Sequence, residues 1–487
     1  QAIRRNALLP LYAQLSSGMG NTNGYALWAT AMGLCAISVH GEVAGASECI
    51  RRAEDCMLAY FDMRATDHRT EGQGYDAWAY GLLVFLADSL KRNCGANHLD
   101  HPFFPTMVDF GTAFMTNDRT KQAWFADAGG GVSNVSWHFP FTLLGSWTGD
   151  PDAGWYLSET QMLGQPGWDH FKLLACDMDM PVAEHAPDPP GAVFPRVGWA
   201  SLRSGWERDG VLVALQCSSA AQGHSHEDQN SFLIYDGGRM MVMDCGYASA
   251  LGGAQREFAR GAVGHNCILV DGKMQVAKRG SIPFFRSTDA IDYAMGDATL
   301  AYSSSMIERA HRHLLLLKPR LLLVVDDLRA AGGEREFQWL LHPHSWASEG
   351  GIAEVTRAGQ AIEVGASATP GDIDIVKGEY AMKLRFLQPA GMTAGLVVYP
   401  GAENYNSYVQ ATSPKAERTV LVTLIEIGNV DVADPAATVA DGTVTFTATV
   451  NGQACAVALQ LAGEDGSSPR LRYEVGGETV FEADDLR

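Results

Sequence analysis

Long apolar runs are missing from this sequence, and so are closely paired cysteines. A helix needs about 20 consecutive apolar residues to span a bilayer, so the sequence predicts no transmembrane helix. The nine cysteines are odd in number, show no Cys-x-x-Cys spacing and lie mostly in apolar surroundings. That pattern is typical of buried free thiols and disfavours both a disulfide framework and a zinc ribbon.

Positive charge is also scarce. The chain has 36 Lys and Arg residues against 56 Asp and Glu residues, a formal net charge of −20. This excess of acid argues against nucleic acid or an anionic membrane as a partner. A site for an acidic polymer would have to gather arginines locally. Neither an initiator methionine nor a signal peptide is present at Gln1–Arg5, so we expect this sequence to begin inside a longer precursor.

The first part of the chain has the periodicity of helices. Tyr25–Ile37 and Ala77–Ala87 carry apolar residues at helical spacing on more than one face, as buried helices do, and Ala46–Tyr60 is amphipathic. With 487 residues, 46% of them hydrophobic, the chain can bury large cores in two or three domains. Repeated helices without strands predict an all-α array or toroid.

From about Val193 the pattern changes to alternating segments separated by turn residues, such as Gly210–Gln216 and Arg320–Asp327. These segments predict a large antiparallel sandwich. The proline-rich stretch Ala186–Gly191 marks the joint between the two halves. We therefore predict an α+β multidomain protein with an (α/α) toroid over residues 1–185, a central antiparallel β-sandwich over 193–395 and a smaller C-terminal β lobe over 396–487.

A polar motif with two histidines precedes one of the predicted strands. His224 and His226 stand two residues apart, which brings two imidazoles within reach of one small volume. Asp244 ends the next predicted strand, and His265 precedes another. His226, Asp244 and His265 form a set that zinc or manganese accepts. The alternative is that they are ordinary polar groups at strand ends.

Two Gly-rich polar loops lead into predicted buried helices, Gly18–Gly24 and Thr70–Tyr75. Loops at the ends of helices line the cleft of a toroid, so Asn21, Asn23 or Tyr75 could face a substrate. The alternatives are a helix N-cap for either asparagine and a buried aromatic role for Tyr75.

The order of these elements resembles the β-domain signature of the heparinase II/III-like polysaccharide lyases. The shared pattern is Gly-His-Ser-His-x-Asp-x-x-Ser-Phe, a strand, Asp-Gly-Gly, a strand, Asp-x-Gly and then His-Asn before a strand. The resemblance implies a catalytic role for His224. It also implies that His226, Asp244 and His265 hold one divalent ion, zinc or manganese, with a structural role.

The two upstream loops resemble the Gly-Asn-x and Glu-Gly-x-x-Tyr segments of the same family. The resemblance implies that Asn21 neutralises a substrate carboxylate and that Tyr75 transfers a proton, with Asn23 as the alternative match. Only about twenty residues precede the first loop here, fewer than in the family, so we expect that part of the toroid is missing from this sequence.

The activity that the resemblance implies is β-elimination in an anionic, uronic-acid polymer such as a glycosaminoglycan or alginate, in a secreted or periplasmic protein. A donor must neutralise the uronate carboxylate before the proton on C5 can be removed. A base takes that proton and an acid protonates the leaving O4, roles that suit His224 and Tyr75. Whether elimination is syn or anti stays open.

Further residues complete the prediction. Arg256 and Arg260 could bind a substrate carboxylate or form surface salt bridges. Trp137 and His138 could form a sugar-stacking platform or belong to the core. Two other functions remain open. One is a metal-dependent glycan hydrolase with Glu227 or Asp228 as base, and the other is a non-catalytic glycan-binding protein.

Overall fold

The structure is a computed structural model. It describes residues 1–16, 22–67, 70–127, 135–161, 176–218, 224–248, 251–277, 279–345, 351–365, 367–368, 371–402, 405–463 and 466–487.

The chain divides into two compact units, and the division between Pro187 and Asp188 falls in the proline-rich joint. The helical unit comprises Gln1–Met115, Arg119–Trp124 and Val132–Pro187, and the β unit comprises Thr116–Asp118, Phe125–Gly131 and Asp188–Arg487. Two short pieces of the helical half of the sequence thus belong to the β unit.

The helical unit begins with a π-helical turn, Arg4–Leu8. Its α-helices are α1 Leu9–Ser16, α2 Asn23–Ser38, α3 Ala46–Asp67, α4 Gln73–Cys94, α5 Phe103–Ala113, α6 Val135–Thr148 and α7 Pro151–Glu159. Small residues let these helices approach closely. A Cβ added to Gly81 of α4 would lie 2.3 Å from the Phe139 ring of α6, so a larger residue has no room there. No described helix is long and apolar enough to cross a membrane.

The β unit contains one α-helix among its described residues, α8 Gly253–Arg260, with 3₁₀ turns at Ala262–Gly264 and Thr299–Ala301. Its first strands are β1 Ala192–Phe194, β2 Trp199–Arg203, β3 Val211–Gln216, β4 Ser231–Asp236, β5 Arg239–Val242, β6 Ile268–Val270, β7 Ser281–Ser287, β8 Ile291–Asp297, β9 Ile307–Leu317, β10 Leu321–Ala330, β11 Phe337–Leu341 and β12 Glu354–Arg357. The others are β13 Gln360–Ala361, β14 Ser367–Ala368, β15 Ile373–Lys377, β16 Tyr380–Gln388, β17 Thr393–Val398, β18 Ser407–Thr412, β19 Arg418–Ile427, β20 Val432–Ala440, β21 Thr443–Val450, β22 Gln453–Gln460, β23 Arg470–Val475 and β24 Glu478–Ala483.

These strands form four sheets. Their orders are β1-β2-β3-β4-β5, β13-β12-β15-β16-β19-β10-β9-β8-β7, β14-β17-β18-β11-β6 and β20-β21-β22-β23-β24. Strand β4, which follows the two-histidine motif, is buried along its whole length. A strand covered on both faces is a rigid base for the loop that leads into it.

The C-terminal lobe begins later than the sequence predicted. Strand β19 lies in the nine-stranded sheet between β16 and β10, so residues 396–427 belong to the central sheets. The separate lobe is the five-stranded meander from Val432 to Ala483. It packs on the nine-stranded sheet through a shared core that includes Leu323, Val422 and Phe446. The predicted boundary at 396 was therefore wrong, whereas the antiparallel sandwich itself is present.

Candidate active site

The loop that carries the two histidines is held at its C-terminal end, where it leads into β4. Gln229 donates its backbone N–H to Oε1 of Gln275 at 2.8 Å and accepts from Nε2 of Gln275 at 2.8 Å. Asn230 adopts a left-handed conformation with φ of 66°, which turns the chain into β4. Arg312, which is fully buried, donates to the Asn230 carbonyl at 2.7 Å. These contacts fix the backbone that positions the motif.

One carboxylate, that of Asp127, contacts both histidines. Its Oδ2 lies 2.8 Å from Nδ1 of His224, and its Oδ1 lies 3.0 Å from Nε2 of His226. Oδ1 also accepts the backbone N–H of Ala248 at 2.6 Å. The side chain of His224 is 24% exposed, while those of Asp127 and His226 are 1% exposed. His224 therefore combines a fixed ring with access to solvent.

His265 lies on the other side of His226, with ring centroids 5.2 Å apart. Its Nδ1 is 2.9 Å from Oδ2 of Asp244, and its Nε2 donates to the Ala259 carbonyl at 3.0 Å. Burial alone would lower the pKa of His265, but the Asp244 carboxylate more than offsets this and raises that pKa to about 9. Both ring nitrogens act as donors in this protonated state, so a metal ion could be bound by His265 only after one of them has lost its proton.

A group of donors suited to a metal ion lies between these residues. His226, Asp228 and His265 each offer one ligand atom, the three atoms lie within 4.8 Å of one another, and all three residues are buried. Nδ1 of His226 is buried and makes no hydrogen bond within the part of the chain that the structure describes. A buried lone pair of this kind is what a metal ion requires, and two imidazoles with one carboxylate suit zinc or manganese. The donor set therefore fits the predicted ion.

The carboxylate in this donor group differs from the one that the sequence predicted. Asp244 is not a member of the three-residue group, and its carboxylate instead contacts His265. Asp228 occupies the place assigned to Asp244, because the turn before β4 brings its carboxylate close to the two histidines. The Asp228 carboxylate also accepts a hydrogen bond from Nε2 of Gln216 at 3.1 Å. A carboxylate behind a ligand histidine orients its ring, and Asp244 has that position.

Of the two candidate arginines, Arg260 lies beside the histidine loop. Its guanidinium donates to the Ser225 carbonyl at 3.4 Å, and its own carbonyl accepts from the Glu227 N–H at 2.9 Å. Arg260 is half-buried at the end of α8, while Arg256 is exposed one turn earlier. The structure therefore places a cation beside Ser225, the residue after His224, despite the acidic balance of the whole chain.

In the helical unit, the two predicted loops meet. The backbone N–H of Asn23, the first residue of α2, donates to Oε2 of Glu71 at 2.6 Å. Glu71 is only 1% exposed, so this contact is shielded from water. Asn21 lies outside the described residues. Tyr75 is half-buried in the first turn of α4.

A buried ion pair supports the second loop. Arg64 and Asp76 are 3.3 Å apart with both side chains 1% exposed. Asp76 accepts from the Thr70 hydroxyl at 2.5 Å and from the Glu71 N–H at 3.3 Å. Burial raises the pKa of Asp76, and the Arg64 guanidinium opposes that rise. The residue next to Tyr75 is thus the anchor of its loop.

The expected sugar-stacking platform does not form. Trp137 is fully buried and packs on Phe141 with a centroid separation of 5.3 Å, and His138 is 3% exposed. His138 contacts the Thr160 hydroxyl at 3.2 Å through Nε2. Both residues belong to the core of the helical unit, because α6 is apolar on several faces and has its neighbours on more than one side.

Sequence reasoning missed Asp127. It lies 97 residues before His224, within the helical half of the sequence, and only the glycines at 129–131 mark the segment as a break between helices.

Residues 186–420 match the family model described as Heparinase II/III-like, C-terminal. This region, which contains the two-histidine motif, is a heparinase II/III-like C-terminal domain, and the resemblance predicted from the motif is confirmed.

Solved structures share the α-helical plus antiparallel-β fold. A heparinase III gene product has a TM-score of 0.69 at 13% identity and covers 92% of this chain and 68% of its own. The heparan sulfate lyase HepC from Pedobacter heparinus has a TM-score of 0.66 at 13% identity, with coverage of 92% and 68%. A further heparinase III has a TM-score of 0.62 at 14% identity, with coverage of 90% and 67%. No curated protein matches this chain in sequence.

Proposed function

We propose that this chain is a polysaccharide lyase that cleaves a glycosaminoglycan by β-elimination and leaves 4,5-unsaturated uronate ends. The observation that carries the proposal is the arrangement at His224, where a buried carboxylate fixes a partly exposed imidazole. A buried metal-type donor set lies beside it, within the region that matches the heparinase II/III-like model. Two proteins of similar fold are a heparinase III and a heparan sulfate lyase, which favours a glycosaminoglycan as the polymer.

The reaction divides among a few groups. The proton on C5 of a uronate is weakly acidic while the adjacent carboxylate keeps its charge, so a donor must neutralise that carboxylate. Asn21 has this role in the proposal, through its amide. His224 and Tyr75 act as the base that takes the C5 proton and the acid that protonates O4.

An arginine completes the substrate site of the β unit. Arg260 presents its guanidinium next to the His224 loop, where it can pair with a carboxylate or a sulfate. A local cation of this kind is needed because the net charge of −20 repels an acidic polymer. Arg256, one turn away and exposed, extends the same cationic edge.

A divalent ion would be held by His226, His265 and a carboxylate from Asp228. Its contribution when bound is structural, since it ties the histidine loop to the chain after α8. The residues around it keep His224 in place.

The test is ultraviolet absorbance of the purified protein with heparan sulfate, chondroitin sulfate, hyaluronan and alginate in separate reactions. We expect absorbance from unsaturated uronate to rise on at least one glycosaminoglycan, and expect Tyr75→Phe and His224→Ala to abolish the rise. Flat absorbance with new reducing ends would replace the lyase by a hydrolase. Flat absorbance without new ends on any polymer would contradict an enzymatic role.

A further inference from the structure

The carboxylate of Asp127 faces nitrogens of two histidines that have different tasks. A carboxylate has only acceptor oxygens, so the nitrogens that face it must carry the hydrogens. Nδ1 of His224 and Nε2 of His226 are therefore the protonated positions. In the neutral rings, this leaves the lone pairs on Nε2 of His224 and on Nδ1 of His226.

We propose that Asp127 is a positioning residue that sets the tautomers of both histidines at once. It makes Nε2 of His224 the basic nitrogen and Nδ1 of His226 the metal-ligating nitrogen. The part that concerns His224 as a base rests on the proposed lyase function. The part that concerns His226 does not, because it follows from the donor geometry alone.

The surroundings of Asp127 are arranged for this task. Its backbone N–H donates to the His224 carbonyl at 3.1 Å, so main chain and side chain both hold the same residue. The Ala248 N–H at 2.6 Å fixes Oδ1 and keeps the carboxylate from rotating. The side chain is 1% exposed, so water does not compete for these contacts.

The lone pair assigned to His226 is consistent with its environment. Its Nδ1 has no hydrogen-bond partner among the described residues, although it is buried. A buried acceptor without a donor is costly, and a bound cation removes that cost. Asp127 thus joins the catalytic histidine and the metal-type group through one side chain.

Two substitutions separate the two effects. In Asp127→Asn we expect the amide oxygen to take the position of Oδ1, because the Ala248 N–H and His226 both donate to that position. The amide NH₂ then takes the position of Oδ2 and faces His224. That forces the His224 proton to Nε2, so kcat should fall by about 10²- to 10⁴-fold with KM changed by less than about threefold. Affinity for Zn²⁺ should change by less than about fivefold. In Asp127→Ala both contacts are lost, and affinity for Zn²⁺ should fall by about 10- to 100-fold.

Asp292→Asn is the matched control. Asp292 is a fully buried carboxylate of the same unit that accepts from the Arg203 N–H and the Ser287 hydroxyl, each at 2.7 Å. Its substitution reports what a lost buried carboxylate costs in stability without a change at the histidines. We expect kcat and zinc affinity of this variant to stay close to those of the wild type.

Nitrogen NMR of the histidine rings in the wild-type protein tests the tautomers directly, whether or not the Asp127 variants fold. The expected result is a proton on Nδ1 of His224 and on Nε2 of His226, with each signal assigned by loss in His224→Gln or His226→Gln. The opposite tautomer at His224, or wild-type kcat in Asp127→Asn, would overturn the proposal. If the wild type cleaves no polymer, the lyase function fails, while the tautomers and the zinc titration still decide the role of Asp127.

Discussion

Arg64 and Asp76 form an ion pair in the interior of the helical unit, with 3.3 Å between Nη1 and Oδ1 and 1% exposure for each side chain. The guanidinium also donates to the Tyr60 hydroxyl at 3.0 Å. The pair links α3 to the first turn of α4, where Tyr75 lies.

Removing one partner of this pair should be strongly destabilising. We expect Arg64→Met to lower the free energy of unfolding by about 3–5 kcal/mol, because Asp76 is left as an uncompensated buried charge. The control is Arg51→Met on the same helix, which breaks an exposed pair with Glu48 and should cost less than about 1 kcal/mol. Urea unfolding of both variants measures the difference. Equal losses would show that burial of the pair is unimportant.

The contact between Asn23 and Glu71 should protect one amide from exchange. In Glu71→Ala the Asn23 N–H loses its acceptor, so its hydrogen exchange should accelerate by at least about tenfold. Glu71→Gln keeps an acceptor oxygen and should preserve most of the protection. Residue-resolved hydrogen exchange distinguishes the two. Wild-type protection in Glu71→Ala would mean that the two loops are held together by other contacts.

His313 should make the protein less stable in acid. It is fully buried, and burial lowers its pKa to about 3, below the ordinary 6.5. Below pH 6.5 the unfolded chain binds a proton that the folded protein does not, so stability is complete above about pH 6.5 and falls by about 1.4 kcal/mol per pH unit down to about pH 3. His313→Gln removes this loss and keeps an acceptor for the Tyr293 hydroxyl, which lies 2.8 Å from Nδ1.

The measurement is urea unfolding of the wild type and His313→Gln at pH 7.5 and pH 5. The drop in stability between these two values should be about 2 kcal/mol smaller in the variant. Because the comparison is between the two decreases in unfolding free energy from pH 7.5 to pH 5, any pH-independent effect of the substitution on stability cancels. Identical drops would exclude His313 as a source of acid sensitivity.

Metal binding should depend on His226 and not on the nearby pair His342 and His344. His226→Ala removes the donor with the unused lone pair, so stoichiometric Zn²⁺ binding should be lost. His344→Asn should retain it, because Nδ1 of His344 accepts the Ala353 N–H at 3.0 Å and serves the fold. Calorimetric titration with Zn²⁺ gives both results. Binding retained in His226→Ala would place the ion elsewhere, and binding lost in His344→Asn would contradict the purely structural role of that residue.

Local patterns in the sequence were enough for much of the architecture. The fully buried strands β3 and β4 are apolar runs bounded by turn residues, and the joint near Pro187 follows from its proline content. The boundary of the C-terminal lobe could not be predicted from local sequence patterns. Nothing within β19 distinguishes it from a strand of a separate lobe, since only its pairing with β10 and β16 assigns it to the central sheet.

The candidate site shows the same difference between what local sequence predicts and what only the fold decides. The motif predicted that His224, His226 and His265 lie close together. In the structure His226 lies beside His265, and His224 shares the Asp127 carboxylate with His226. Which carboxylate joins them is a three-dimensional property that spacing does not reveal, and in the structure it is Asp228 and not Asp244. Of the two possibilities for Trp137, a stacking platform or a place in the core, the structure shows the core, and the sequence alone did not reveal which faces of α6 are covered.

The position of Asp127 in the sequence determines when the histidine cluster can be completed during synthesis. It precedes His224 by 97 residues, so at about 5–20 residues per second the ribosome needs roughly 5–20 s to add the histidine after the aspartate. During that interval the segment around Asp127 has none of its final neighbours from the β unit. The histidine cluster is therefore completed only after the strands that follow the joint have been synthesised, and a β unit expressed from residue 188 onwards would lack the acceptor that orients both rings.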